Sequence, residues 1–159
     1  MKLFYSASSP FARKVRVAAR EKGLAGSLEE VECNPFADPA ELRRHNRLGK
    51  VPTLVTGELV LYDSPVICEY LDLRKDGHRL IPTSGSDRWR VLRAQALADG
   101  MMDIAVQLTL ERRRAAAEQS ASAQQRWREA HPGLAEWFDP FAGRPAMQQT
   151  QPSDSSYAL

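Results

Sequence analysis

Cysteine and histidine are scarce in this chain of 159 residues: Cys33 and Cys68 are the only two of the first, and His45, His78 and His131 the only three of the second. Neither cysteine has a Cys or His at metal-ligand spacing, and the histidines are scattered, so the pattern excludes a disulfide framework and predicts no metal site. Long apolar runs are missing too, and nothing approaches the roughly 18 consecutive residues that cross a bilayer. An excess of one charge is also absent. The 22 Lys and Arg face 20 Asp and Glu, and the net +2 is too small to attract nucleic acid or an anionic membrane. Met1-Lys2 runs directly into Leu3-Phe4-Tyr5 without the apolar core or cleavage site of a secretory leader, so the expected compartment is the reducing cytoplasm. Bulk properties name no partner, and function has to be read from a local site.

With 43% apolar residues the chain can build a core. Residues 2–5 read as a buried strand. Ser9 offers an N-cap, Pro10 suits the first helical position, and Gly23 closes the helix after an apolar side of Val15, Val17, Ala18 and Ala19. Residues 28–33 form a second, Glu-rich strand. Asp38-Pro39-Ala40-Glu41 predicts a helix start with a capping box between Asp38 and Glu41, ended by the loop at 45–49. Strands at 53–56 and 59–62, separated only by Gly57-Glu58, require an antiparallel hairpin. Ser64-Pro65 opens a helix whose inward face is expected to carry Val66, Ile67, Tyr70, Leu71 and Leu73, with Gly77 ending it.

The order βαβαββα, over residues 1–77, is that of a thioredoxin-like layer, an α/β fold. Residues 78–86 read as a linker from their Pro, Gly, Ser and Thr content. An all-helical part at 87–142 follows, with long helices to about 114 and from about 115 to 130, a break at His131-Pro132-Gly133, and a short helix beyond. Residues 143–159 have the composition of a loose tail.

Three loops of the first layer can meet at one edge: Ser8-Ser9-Pro10, Lys50-Val51-Pro52 and Asp63-Ser64. Two of them are helix N-termini, whose unpaired N–H groups and positive dipole ends favour anions such as a thiolate and a carboxylate. A cis bond at Val51-Pro52 would leave the Val51 N–H and C=O free for a peptide-like ligand. Asp63 suits a ligand ammonium and Lys50 a ligand carboxylate.

"SPFARKVR", "GKVPTLV" and "YDSPVICEYL", in that order, resemble the N-terminal domain of cytosolic glutathione transferases of the bacterial serine type. "LRAQALADGMMD", residues 92–103, is similar to the first helix of that family's helical domain. The resemblance implies that Ser9, or alternatively Ser8, hydrogen-bonds the sulfur of glutathione, the co-substrate. It further implies that Val51, before a cis Pro52, pairs with the cysteinyl backbone, that Asp63 and Ser64 hold the γ-glutamyl end, and that Lys50 meets a carboxylate. The implied activity is conjugation of the glutathione thiolate to a small, apolar electrophile, as in detoxification, by a homodimer joined through the third and fourth helices. Met101, Met102 and Leu108 are candidates for the acceptor pocket. No Cys stands at 8–12, which argues against dithiol exchange carried by the protein itself.

Two departures from the family pattern stand out. Arg47 occupies the place of a proline. The buried central helix of the family's second domain, with its Ser/Thr-x-x-Asp capping box, has no counterpart between residues 122 and 131, so the helical domain is expected to be internally shortened. An alternative function follows from the shortening: a glutathione-binding or protein-interaction module without transferase turnover.

Overall fold

The computed structural model describes residues 1–115 and 143–150. β1 (Lys2–Tyr5) runs into α1 (Pro10–Glu21), and a 3-10 turn leads to β2 (Glu29–Glu32). A second 3-10 turn precedes α2 (Ala40–His45), after which come β3 (Thr53–Val55), β4 (Val60–Leu61), α3 (Ser64–Leu73) and α4 (Gly85–Arg112). The four strands form one sheet in the order β2-β1-β3-β4. β1 and β2 are parallel, and β3 is antiparallel to both β1 and β4. This is the expected thioredoxin-like layer, with a helical part beyond it.

Alternation along β1 assigns the two sides of the sheet. Leu3 joins Leu54 and, from α1 and α3, Val15, Ala18, Ala19, Ile67, Cys68 and Leu71 in the core cluster. Phe4 faces the other side, where its ring lies 5.6 Å from that of His45 at the end of α2. α1 ends as its sequence predicts. Gly23 takes φ +63°, its N–H donates to the Arg20 C=O at 2.9 Å, and a Cβ there would come within 2.9 Å of Lys75 Nζ.

Several local expectations do not hold. No capping box forms at α2: Asp38 adopts φ 52° and pairs with Arg43, while Glu41 pairs with Lys2 at 3.3 Å. Pro39 is the N-cap and no side chain bonds the helix start. β3 and β4 are shorter than the pattern suggests, because Thr56 turns inside the connection and its Oγ1 accepts the N–H of both Glu58 and Leu59. α3 stops at Leu73, four residues before Gly77. Its buried face carries Ile67, Cys68, Leu71 and Asp72, whereas Val66 and Leu73 are 46% and 57% exposed.

Asp72 is buried because partners converge on it. Its carboxylate lies 3.1 Å from Lys22 Nζ and accepts the N–H of Leu80 at 2.9 Å and of Ile81 at 3.0 Å. Lys22 also donates to the His78 C=O at 2.7 Å, so the segment read as a linker is pinned to the ends of α1 and α3. α4 docks through Arg88 to Glu69 and through Asp99 to Lys14, at 2.7 and 2.6 Å.

Residues 143–150 are packed where composition suggests a loose tail. They form a helical turn, Pro145–Gln148, with Ala146, Met147 and Thr150 buried. Arg13 of α1 donates to the Met147 C=O at 2.8 Å and to Thr150 Oγ1 at 3.3 Å, and Arg144 pairs with Glu21 at 2.7 Å. The second long helix, the break at His131 and the missing central helix all fall outside the described residues.

Candidate functional site

Strand register brings the three loops together. In the β1–β3 ladder Phe4 faces Thr53, so the chain leaving the end of β1 and the chain entering β3 share one edge of the sheet. In the β3–β4 ladder Leu54 faces Leu61, so the chain leaving β4 toward Asp63 exits at the same edge. The C-terminal ends of β1 and β4 and the N-terminal end of β3 therefore share one edge. The loops that leave it contain Ser8 and Ser9, Lys50 to Pro52, and Asp63 with Ser64.

Ser9 caps α1, its Oγ accepting the Ala12 N–H at 3.2 Å while its C=O accepts the Arg13 N–H at 3.0 Å. A hydroxyl used as an acceptor keeps its proton to donate elsewhere. Pro10 has no N–H, and that of Phe11 is unpaired among the described residues. Ser8 is turned aside, its Oγ 3.1 Å from that of Ser6. At the start of α3 the Ile67 N–H bonds the Asp63 C=O at 3.1 Å and Pro65 has none. Two first-turn donors, the N–H groups of Ser64 and Val66, have no partner among the described residues. Ser64 is buried, and Asp63 and Lys50 are exposed.

The Val51-Pro52 peptide is cis. Among the described residues no hydrogen bond uses the N–H or C=O of Val51. The loop before it rests on two buried polar side chains that the sequence pattern did not single out. Asn46 Nδ2 donates to the Lys50 C=O at 3.1 Å and to Thr53 Oγ1 at 3.0 Å. Thr53 Oγ1 donates to the same C=O at 2.9 Å, and Asn46 Oδ1 accepts the Leu48 N–H at 3.0 Å. The available signal was a Thr on the inward side of a buried strand, seven residues after an Asn that ends a helix.

The α4 candidates do not share a face. The Lys14 pair turns Asp99 toward α1. At 100° per residue Met102 lies near the same side, while Met101 and Leu108 lie on the opposite one. All three are half-buried.

The protein's own thiols are poor nucleophiles here. Burial, with the charge of Glu32 and Glu41 added, raises the Cys33 thiol above its ordinary value. Burial pushes the Cys68 thiol to about 12, with Lys14 opposing and Asp99 and Asp72 adding to the rise. Among the described residues no group of three His, Cys, Asp or Glu is arranged to hold a metal ion, and no helix is long and apolar enough to cross a membrane.

Comparison with known proteins identifies the layer. The model of the glutathione S-transferase N-terminal domain matches residues 3–79. The chain is 38% identical over 130 residues to the uncharacterized GST-like protein YibF of Escherichia coli, and 34% identical over 99 residues to a stringent starvation protein A homolog of Histophilus somni. Those alignments take in 81% and 60% of this chain, which spans 63% and 46% of the two relatives' lengths. Among solved structures, a glutathione transferase family member from Pseudomonas fluorescens with bound glutathione superposes with a TM-score of 0.84 at 32% identity, covering 96% of this chain and 98% of its own. A glutathione S-transferase from Methylobacillus flagellatus with glutathione bound gives 0.82 at 30%, covering 96% and 99%.

Proposed function

The chain belongs to the glutathione transferase family, and from that premise we propose that it binds glutathione at the shared loop edge and adds the glutathione thiolate to an electrophilic carbon of a small apolar molecule. The observation that carries the reading is the cap of α1. The Ala12 N–H occupies a lone pair of Ser9 Oγ, so the hydroxyl proton is left to donate to a sulfur placed before the helix N-terminus. A donor and the positive end of a helix both favour thiolate over thiol, which lowers a thiol pKa from its ordinary value near ~8.5. The Phe11 N–H, unpaired among the described residues, adds a second donor at the same helix start. Ser8, engaged with Ser6, is the weaker candidate.

The rest of the tripeptide follows the donors and charges along the edge. Val51 pairs with the cysteinyl backbone, beside the cis Pro52. The Ser64 and Val66 N–H groups hold the γ-glutamyl carboxylate, Asp63 meets its ammonium, and Lys50 takes the glycyl carboxylate. The two neighbours with bound glutathione support the choice of ligand. Met102, on the side of α4 that faces α1, borders the acceptor, and binding both reactants together supplies much of the rate. Exposed Val66 and Leu73 on α3 and Trp89 and Leu97 on α4 provide apolar surface for a homodimer. Conjugation of this kind fits a detoxifying role in the cytoplasm, where glutathione is supplied.

The test is calorimetric titration of glutathione into the protein and its Ser9→Ala variant, with an aryl halide conjugation assay on both. Losing a hydrogen bond to a charged sulfur costs about 1.5–3 kcal/mol, so turnover at pH 7 is expected to fall roughly 10- to 150-fold and to recover as pH rises. Ser8→Ala is expected to lose far less. Binding without turnover in the unmodified protein would favour the non-catalytic module, a reading that the limited span along the relatives also permits. A cooperatively folded sample that binds no glutathione would reject both.

A further inference from the structure

Asn46 and Thr53 touch no part of the proposed ligand, yet each donates a hydrogen bond to one atom, the Lys50 carbonyl oxygen, at 3.1 and 2.9 Å. We infer that this pair is a positioning clamp for the Val51 N–H, and that it sets how strongly the protein holds the peptide backbone of its ligand. The inference rests on the reading of Val51 as the cysteinyl contact.

The geometry follows from the peptide plane. The Lys50–Val51 bond is trans, since the cis bonds of the described chain are Val51-Pro52 and Tyr62-Asp63. In a trans peptide the C=O and the N–H of one planar unit point in opposite directions. Two donors drawing the Lys50 C=O into the protein therefore turn the Val51 N–H outward, on the side away from the clamp. The plane has little freedom, because both lone pairs of the carbonyl are engaged and both donors are buried, Asn46 at 1% exposure and Thr53 at 0%.

The donors are themselves fully committed. The amide of Asn46 spends both N–H bonds, on Lys50 and Thr53, and its oxygen accepts from Leu48. The Thr53 hydroxyl accepts from Asn46 and donates to Lys50. The backbone N–H of Asn46 bonds the Leu42 C=O at 2.7 Å, which anchors the clamp to α2. Hydrogen bonds to the oxygen of a peptide also polarise it and strengthen its N–H as a donor, an effect favoured by the low dielectric of a buried network. The clamp thus aims the Val51 donor and sharpens it.

The experiment uses the full chain as wild type, Thr53→Val and Thr53→Ser, with 15N-labelled valine. Valine keeps the β-branched shape in β3 and removes the hydroxyl; serine restores the hydroxyl. Glutathione is titrated by calorimetry and the Val51 amide proton is followed by NMR, with a melting curve for each variant. Thr53→Val is expected to bind glutathione roughly tenfold more weakly, about 1.4 kcal/mol, with KM raised and kcat unchanged because the contact is equal in ground and transition states. Its Val51 amide is expected to shift less on saturation, and Thr53→Ser to restore both readouts to within about twofold of wild type. A melting change alone would move neither the Val51 shift nor the split between KM and kcat. The inference is overturned if folded Thr53→Val binds as tightly as wild type, or if the wild-type Val51 amide does not move when glutathione saturates the protein. Wild type that shows no saturable binding overturns the glutathione reading itself, and the clamp with it.

Discussion

Replacing Lys22 by Met removes an ammonium that lies 3.1 Å from the Asp72 carboxylate, with the two side chains only 4% and 2% exposed. At that separation an effective dielectric near 20 gives an attraction of about 5 kcal/mol, much of it offset by the cost of desolvating both ions. Breaking the pair from one side is different, since the carboxylate stays buried; such changes cost about 3–5 kcal/mol. The Leu80 and Ile81 N–H bonds still solvate Asp72 in the variant, which places the expected loss near ~3 kcal/mol, the low end of that range. For a chain of this length that is a fall of roughly 6–12 °C in Tm.

Acid supplies a second signature of the same pair. Burial alone would raise the Asp72 carboxyl, but the Leu80 and Ile81 N–H groups and the Lys22 ammonium outweigh it and hold the group below its ordinary value. A carboxyl lowered by folding contributes stability that is present above its unfolded value of about 3.9 and fades as pH falls through the lowered folded value. Without Lys22 the folded carboxyl rises, so less stability remains to be lost, and the gap between wild type and variant narrows in acid. Urea unfolding followed by circular dichroism from pH 7 to pH 3 reads both effects. A loss below about 1 kcal/mol at pH 7 with an unchanged m value, or a gap that stays constant into acid, would refute the reasoning.

Thiol titration of the native protein at pH 8 is expected to modify Cys33, more slowly than free glutathione, and to leave Cys68 untouched until denaturant is added; rapid native reaction of both would contradict the burial of Cys68. Arg13→Gln removes the guanidinium that holds the Met147 C=O and Thr150, so amide exchange at residues 147–149 is expected to accelerate at least about tenfold, from the loss of a charged hydrogen bond. Unchanged exchange there would show that contacts other than those of Arg13, among them the buried Ala146 and Met147 and the Arg144–Glu21 pair, hold the segment.

Local chemistry was legible from the residues. Ser9 before Pro10, Gly23 after Lys22 and Ser64-Pro65 each act within a turn or two of backbone and mark the helix boundary they predict, and the short span between β3 and β4 forms the antiparallel hairpin it requires. The candidate edge was legible for the same reason, as two helix starts and a Val-Pro step are local features whose order in a βαβαββα layer sets them on one side. The α2 cap was misread because a capping box competes with partners distant in sequence: Glu41 meets Lys2, and Asp38, in a left-handed conformation, turns to Arg43.

Within residues 1–77 the sequence by itself determined which segments become the main strands and helices and where the candidate edge lies, because periodicity, caps and turn residues need no distant partner. Tertiary structure decided which face of each element is inside and which polar groups live there. Asp72 rather than Leu73 is buried on α3, since Lys22 and two linker N–H groups converge on its carboxylate. Residues 143–150 pack on α1 through Arg13, and Asn46 and Thr53 close over the Lys50 carbonyl. A buried polar group is stable only when its partners arrive, and those partners come from parts of the chain that folding alone brings together.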